Sequence, residues 1–338
     1  MSRPFLILLV FIFMSSLSCK NSVNSNNDND TDEIPVWQRV NNGLTVPNIL
    51  CLAIDPFNAE QLYAGTLNGI FKSTDAGDSW ENVTHALPST YIYTIVTHPL
   101  YEDHLLIGTK SGGVYLSRDA GDSWQRIWNI SIKKQIHSLA LHDSLIFAGT
   151  SNGIYKSMDF GHKWHFCNQW GKTLAIIINP DDPDVIYESA NFYGNFISKD
   201  GGKLWKAINL GILDGAEWVD SAERFIFHPE EPGHLFMCSS VGLIYRTLHQ
   251  GELWVRAANP PGLTVKYVSI DFAGNVLYAA SQNHGVFASS DYGVSWENVG
   301  EIVSGVKSRV IRSMVSGENN YIYVGTLENG VYRYVEKR

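Results

Sequence analysis

From Val36 to the C-terminus the chain is written in short apolar runs, each closed by Gly, Asn, Asp, Pro or Ser. Runs of this length bounded by turn formers predict β-strands rather than helices. The first complete unit holds four of them: Ile49 to Ile54, Gln61 to Thr66, Gly69 to Thr74 and Trp80 to Thr84. The same group of four then returns. Its first run recurs at Tyr91 to Thr97, Gln135 to Leu141, Thr173 to Ile178, Glu223 to Phe227, Val265 to Ile270 and Arg309 to Val315. These first runs are the most continuously apolar, which predicts innermost strands covered on both faces. Five of the seven are followed by a marked turn, at Asp55-Pro56, His98-Pro99, Asn179-Pro180, His228-Pro229 and Asp271, so His98 and His228 read as turn residues rather than catalytic bases.

Between the third and fourth runs stands a signature, S-x-D-x-G-x-x-W. It occurs at Ser73, Asp75, Gly77 and Trp80, at Ser117, Asp119, Gly121 and Trp124, and at Ser157, Asp159, Gly161 and Trp164. Two more copies lie at Ser198, Asp200, Gly202 and Trp205, and at Ser289, Asp291, Gly293 and Trp296. A decayed copy at Thr247, His249, Gly251 and Trp254 has lost the Asp. The chemistry is that of a tight hairpin turn: Ser and Asp oxygens accept from nearby N–H groups, Gly takes a positive φ, and Trp buries a ring beside the reversal. Counting Trp37 as the first, the tryptophans stand 43, 44, 40, 41, 49 and 42 residues apart. A period of about 40–45 residues with four strands per unit predicts the blades of a propeller. The chain opens on a lone outermost strand, Val36 to Val40, and closes on a third strand, Gly330 to Tyr334, that has no Trp strand after it. Joining the two completes a last blade. The expected fold is therefore all-β, a seven-bladed propeller of four-stranded blades closed by pairing of the N- and C-terminal strands.

The repeat resembles the Asp-box, or BNR, repeat of sialidases, the sortilin receptor domain, xyloglucan-active endoglucanases and the photosystem II assembly propellers, and the resemblance covers residues 36–338. It implies the fold and leaves the activity open, because those families share the box and differ in what they do. Sialidases of this type carry an early Arg-Ile-Pro, which is absent here, on six blades rather than seven. The xyloglucan enzymes carry a catalytic Asp in an R-T-D-x-G-G segment and use two propellers; here Gly65-Thr66-Leu67-Asn68-Gly69 has Leu67 in the matching place. The photosystem assembly propellers match in length, blade count and lipid anchor, but this chain lacks their arginine-rich face. The expectation is a non-catalytic binding or assembly-scaffold propeller held at the cell envelope, with a glycan or an envelope protein as ligand. The alternative is a glycoside hydrolase, sialidase-like or glucanase-like, with a divergent site.

Composition sharpens this only at the edges. With 34 acidic and 25 basic residues and a net charge of −9, there is no electrostatic case for nucleic acid. Arg3, the apolar run Phe5 to Met14 and the small residues before Cys19 look like a bacterial lipoprotein signal, although Ser16 stands where that signal usually has Leu. The resemblance implies a signal peptide over 1–18, cleavage before Cys19, lipidation of its thiol and a membrane partner through that anchor. Residues 19–35, rich in Asn, Asp and Ser, then read as a disordered tether to a propeller at 36–338. Lys20 favours the outer membrane, and without lipidation the protein is secreted or periplasmic. Cys51, Cys167 and Cys238 fall in different repeats and read as buried free thiols, with no metal or cofactor spacing anywhere and a monomer expected.

Propeller loops that gather around the channel supply the candidates for binding: Tyr91, Trp128, Lys133, Lys134, Trp170, Phe192, Tyr193, Asp214, Glu217, Trp218, Asp220, His284 and Glu328. Of these, Trp218, Trp170, Trp128 and Tyr193 are the ring-bearing residues expected to contact a ligand. The longest interval comes from Asn209 to Ala222, where Trp218 stands among Asp214, Glu217 and Asp220, the weak candidates for an acid–base pair. If Cys19 carries the anchor, Cys19→Ser moves the protein from the membrane to the soluble fraction after cell breakage; equal membrane retention of both forms contradicts the anchor.

Overall fold

The computed structural model describes residues 37–335 except 86, 89, 112, 129–134, 213–218, 232, 261–264, 283, 301–310 and 318–320. The signal, Cys19 and tether expectations, and the candidates Lys133, Lys134, Asp214, Glu217 and Trp218, lie outside the described residues. The rest is a ring of seven four-stranded antiparallel sheets. In blade 1, strands a to d are Ile49–Ile54, Leu62–Thr66, Gly69–Ser73 and Glu81–Asn82. The innermost strands a of blades 2 to 7 are Ile92–Thr97, Ile136–His142, Thr173–Ile178, Ala222–Phe227, Tyr267–Ala273 and Ile311–Ser316. Each touches its two neighbours, and the strand of blade 7 touches that of blade 1, which closes the ring. As expected from the two ends of the chain, Gln38–Arg39 pairs antiparallel with Gly330–Val335 (Gln38 with Arg333, Arg39 with Tyr332) and completes blade 7.

Burial departs from the expectation for the innermost strands. Strands b and c are the ones covered on both faces: Leu62–Thr66 and Gly69–Ser73 are buried at every residue, as are Leu105–Thr109 and Gly113–Ser117. Strand a mixes buried with half-buried positions, because one side of it lines the central channel. Its apolar residues pack against the adjacent blade instead: Ile92 and Ile95 of blade 2 join Tyr63 and Ile70 of blade 1 in one core cluster. The contact is close enough that a Cβ at Gly108 would lie 2.6 Å from Cγ2 of Ile136 in the next blade. Only glycine fits there.

The box folds as its chemistry requires, and it also reaches beyond its own hairpin. Ser73 Oγ accepts from Gly77 N–H at 2.8 Å and donates to Asp75 Oδ1, which accepts in addition from Ser79 N–H. Gly77 sits at φ +93° and the residue before it, Ala76, at +56°, so the reversal uses two left-handed residues in succession. The Trp80 indole N–H then donates to Val40 O of the neighbouring blade at 2.9 Å; Trp124 does the same to Val83 O, Trp164 to Ile127 O and Trp254 to Ile208 O. Trp80, Trp254 and Trp296 are buried, whereas Trp124, Trp164 and Trp205 are half-buried. In the decayed copy Thr247 Oγ1 still accepts from Gly251 N–H, so the turn survives without its carboxylate.

A second tie across the blades was not legible in the motif. The strand-c residue just before the box Ser is a cation in alternate blades. Arg333 donates to Ala76 O at 2.9 Å, Lys156 to Gly201 O at 2.8 Å and Arg246 to Tyr292 O at 2.9 Å, each in the blade that follows. Lys72 faces Asp122 at 3.9 Å in the same way. The histidine turns follow the expectation: His98 Nδ1 accepts from Leu100 and Tyr101 N–H while Nε2–H donates to Asp143 O, and His228 Nδ1 accepts from Glu230 N–H. The three cysteines are free. Cys238 is buried, but Cys51 and Cys167 are only half-buried, a correction that follows from their places at the channel wall and on an outermost strand.

Blade 4 carries one anomaly. Glu188 occupies the strand-b position that Ala64, Ala148 and Ala279 hold elsewhere, and it is fully buried. Thr173 Oγ1 and Asn168 Nδ2 donate to its two oxygens at 3.1 and 2.9 Å, yet burial pushes its carboxyl up from 4.5 to about 7.

Two outcomes follow from this packing. In thermal or urea melts Trp254→Ala costs about 3–5 kcal/mol for the cavity, and Ser117→Ala about 1–3 kcal/mol because it strands the buried Gly121 N–H. Asp119→Ala costs about 1 kcal/mol, since Ser123 is exposed and finds water; the reverse order contradicts these roles. For Glu188, a folded-state pKa above the unfolded one means stability falls as pH rises from about 4.5 through about 7 and is level above that. Glu188→Gln, with the Asn168 amide turned so that its unpartnered oxygen accepts, therefore gains on the order of 2–4 kcal/mol over wild type at pH 8 and nothing at pH 4.5. A stability difference that does not change with pH rules this out.

Candidate functional site

Every strand a carries a β-bulge at the same place. Pairing with strand b skips one residue near its first end: Leu50, Tyr93, His137, Leu174, Glu223, Val268 and Arg312 in blades 1 to 7. A bulge inserts an unpaired residue and re-aims its side chain. All seven of these residues line the central cavity of about 840 Å³, forming one ring near its mouth. Sequence reading missed this ring, because a bulge is a mismatch between two strands and leaves no mark on either one alone.

The ring and the residues just outside it divide by chemistry. On blades 2 and 3 the wall is aromatic: Tyr91 and Tyr93 stand 5.0 Å apart between ring centres, Tyr93 and His137 5.5 Å apart, and Lys110 Nζ lies 4.7 Å over the Tyr91 ring. Burial, with Lys172 nearby, lowers His137 from 6.5 to about 4, so its ring is neutral at ordinary pH and bonds Ser151 Oγ at 3.1 Å. On the opposite arc stand Lys172 of blade 4, Lys266 of blade 6 and Arg312 of blade 7, with Glu223 of blade 5 among them. Among the described residues none of these four charges has an ion-pair partner within 4.0 Å. Towards the other end of the strands Asp271 is half-buried, its carboxyl raised by desolvation and held by Arg224 at 3.8 Å and by Ser316 N–H at 3.1 Å.

At blade 4 the mouth gains a ledge. Asn191 N–H donates to Lys172 O, and the next two residues, Phe192 and Tyr193, are 65% and 57% exposed. Phe192 has φ +68°, a conformation that costs a bulky side chain energy and is kept only where surroundings impose it. They do: Tyr193 forms a parallel bridge with Val219, and Val219 N–H donates to Phe192 O at 3.1 Å. The described end of the long Asn209 to Ala222 loop is thereby fastened to the ledge.

The expected ligand residues fare differently. Tyr193 is exposed on the ledge. Trp170 is half-buried, one ring face stacked on Phe196 at 3.9 Å, with Gly171 against the Tyr193 ring. Trp128 is a correction: it is fully buried, packed on Tyr155 and Trp164 at 4.9 and 4.5 Å, because just past the outermost strand of blade 2, Gln125–Arg126, its N–H still donates to Val114 O and holds it against the blade. Asp220 is also buried rather than open to the channel. Its Oδ1 accepts from Ser221 N–H and Ser240 Oγ, and its Oδ2 is buried without a partner among the described residues. Tyr91 lines the channel, while His284 and Glu328 are exposed on the hairpins of blades 6 and 7.

Comparison with known proteins fits this architecture. A family model described as sortilin, neurotensin receptor 3, matches residues 68–191. A probable oligoxyloglucan-reducing end-specific xyloglucanase of Neosartorya fischeri is 24% identical over 142 residues, 38% of this chain and 17% of that protein. The extracellular domain of a one-component system protein of B. thetaiotaomicron superposes with a TM-score of 0.71 at 15% identity, over 88% of this chain and 40% of that one. YCF48 bound to D1 peptide superposes with a TM-score of 0.66 at 16% identity, over 90% of this chain and 100% of that one. The chain thus spans well under half the length of the first two. Box, closure and blade count together make it a seven-bladed β-propeller of Asp-box repeats, similar to the sortilin, xyloglucanase and YCF48 propellers.

Proposed function

We propose that this protein is a non-catalytic binding or assembly propeller, lipid-anchored at a bacterial envelope through Cys19, that holds an extended ligand across the channel mouth at blade 4. The observation that carries the reading is the lining itself. Cations without ion-pair partners among the described residues and accessible rings converge there, while the two described carboxylates in the cavity wall, Glu223 and Asp271, are offset along the strands. They stand at the second and fifth positions of equivalent strands, roughly 10 Å apart along the strand direction alone. A glycosidase pair needs about 5–9.5 Å across one cleft. Asp271 is moreover committed to Arg224 and Ser316. The likeness to YCF48, whose structure holds a peptide, supports binding.

The second reading, glycan hydrolysis with a divergent site, draws on the xyloglucanase similarity and would place its acid and base among Asp214, Glu217 and Asp220. A glycan-array, peptide-array and hydrolysis screen of residues 36–338 separates the two. The expected outcome is binding without turnover, weakened about 3- to 10-fold by Tyr193→Ala and by Trp218→Ala. Hydrolysis that disappears in Glu217→Gln overturns the binding reading.

A further inference from the structure

We infer that the ligand of this face is an acidic sugar chain, whose carboxylates enter the channel mouth between Lys172, Lys266 and Arg312 while its rings lie on the aromatic ledge of blade 4. The inference rests on the binding reading above and names its ligand class.

Charge comes first. The chain carries a net −9, yet three cations without ion-pair partners among the described residues open onto one mouth, with Glu223 as the described carboxylate among them and Asp271 farther along the strands. Lys172 and Lys266 hold equivalent places: the carbonyl of each accepts an N–H from the b–c hairpin of its own blade, Asn191 in one and Gln282 in the other. They flank blade 5 on both sides. Such a local reversal of sign in an acidic protein selects anions at short range, where low-dielectric walls strengthen the field.

Shape comes second. Phe192 and Tyr193 are held in the open by a bridge to Val219 and by a left-handed residue, and both rings stay more than half exposed. Flat rings presented at a fixed angle suit the C–H face of a pyranose, and the cavity falls in the range of about 300–1,000 Å³ typical of binding sites.

Backbone chemistry favours a sugar over a peptide that docks by strand addition, because that mode needs a regular free edge. Here the bulge at the mouth shifts the register between strands a and b in all seven blades and re-aims one side chain of each inner strand, so the first end of that strand is not a regular edge. Recognition at this end therefore falls to cations, rings and hydroxyls such as Ser240, the vocabulary of a carboxylated sugar.

The test uses the mature propeller and three probes by calorimetry: an oligogalacturonate, the same oligomer fully methyl-esterified, and an oligoglutamate peptide. The oligogalacturonate is expected to bind at least tenfold tighter than its ester, with affinity falling steeply as salt rises. Lys266→Ala and Arg312→Ala each lose roughly five- to tenfold for the acid and leave the ester unchanged. Glu223→Gln, which removes the described carboxylate among these cations, binds the acid more tightly. All three positions line the channel outside the buried core, so unchanged melting temperatures confirm that the fold is intact. Equal binding of acid and ester, or tighter binding of the peptide, overturns the inference while leaving a binding propeller in place. Binding of none of these, nor of any glycan or peptide on the arrays, overturns both.

Discussion

The structure depends on the tie between one blade and the next. A blade of four short strands buries its middle strands only when a neighbour covers each face, so no blade is a stable unit alone. The box supplies the fastening. Its indole donates to the last carbonyls of the neighbouring outer strand, as Trp80 does to Val40 and Trp254 to Ile208, and its left-handed pair presents a carbonyl that a strand-c cation from the same neighbour takes up, as Arg333 does at Ala76. The turn is thus a docking device as much as a reversal. Arg333 also meets Asp78 at 2.9 Å, so this tie is doubled where the two ends of the chain close the ring.

These ties all lie at the periphery of the ring, far along each blade from the channel. Inner strands carry no part of them and are free to vary on the side that faces the cavity. The consequence is visible in the bulge ring, where equivalent positions hold Leu50, Tyr93, His137, Glu223 and Arg312 without any change in strand pairing. A scaffold fastened at its rim and variable at its centre is well suited to acquiring a binding surface. Blade 4 shows how far the scaffold tolerates change. It holds a buried Glu188 in an alanine position, a hairpin with an αL phenylalanine and the longest connection to its successor. The last two meet at the ledge by the mouth, where Tyr193 bridges Val219.

The chain alone determined the repeat, the blade count and the closure, because each is a local or periodic property. A turn needs Ser, Asp and Gly at fixed offsets, a strand needs a short apolar run, and the missing pieces at the two ends are complementary. It also determined that His98 and His228 are turn residues, since they recur where other blades have Asp or Asn and accept the same N–H bonds. What only the tertiary structure decided is where side chains face. Trp128 reads as a loop aromatic but folds into the core; Asp220 reads as a surface carboxylate but is buried beside Ser240; the inner strands read as doubly covered but leave one side to the channel. The bulge that gathers Tyr93, His137, Glu223 and Arg312 into one ring depends on the register between two strands, and the convergence of Lys172, Lys266 and Arg312 depends on closing seven blades. Spacing along a chain records the period of a repeat, whereas the direction of each side chain is set by the neighbours that closure brings against it.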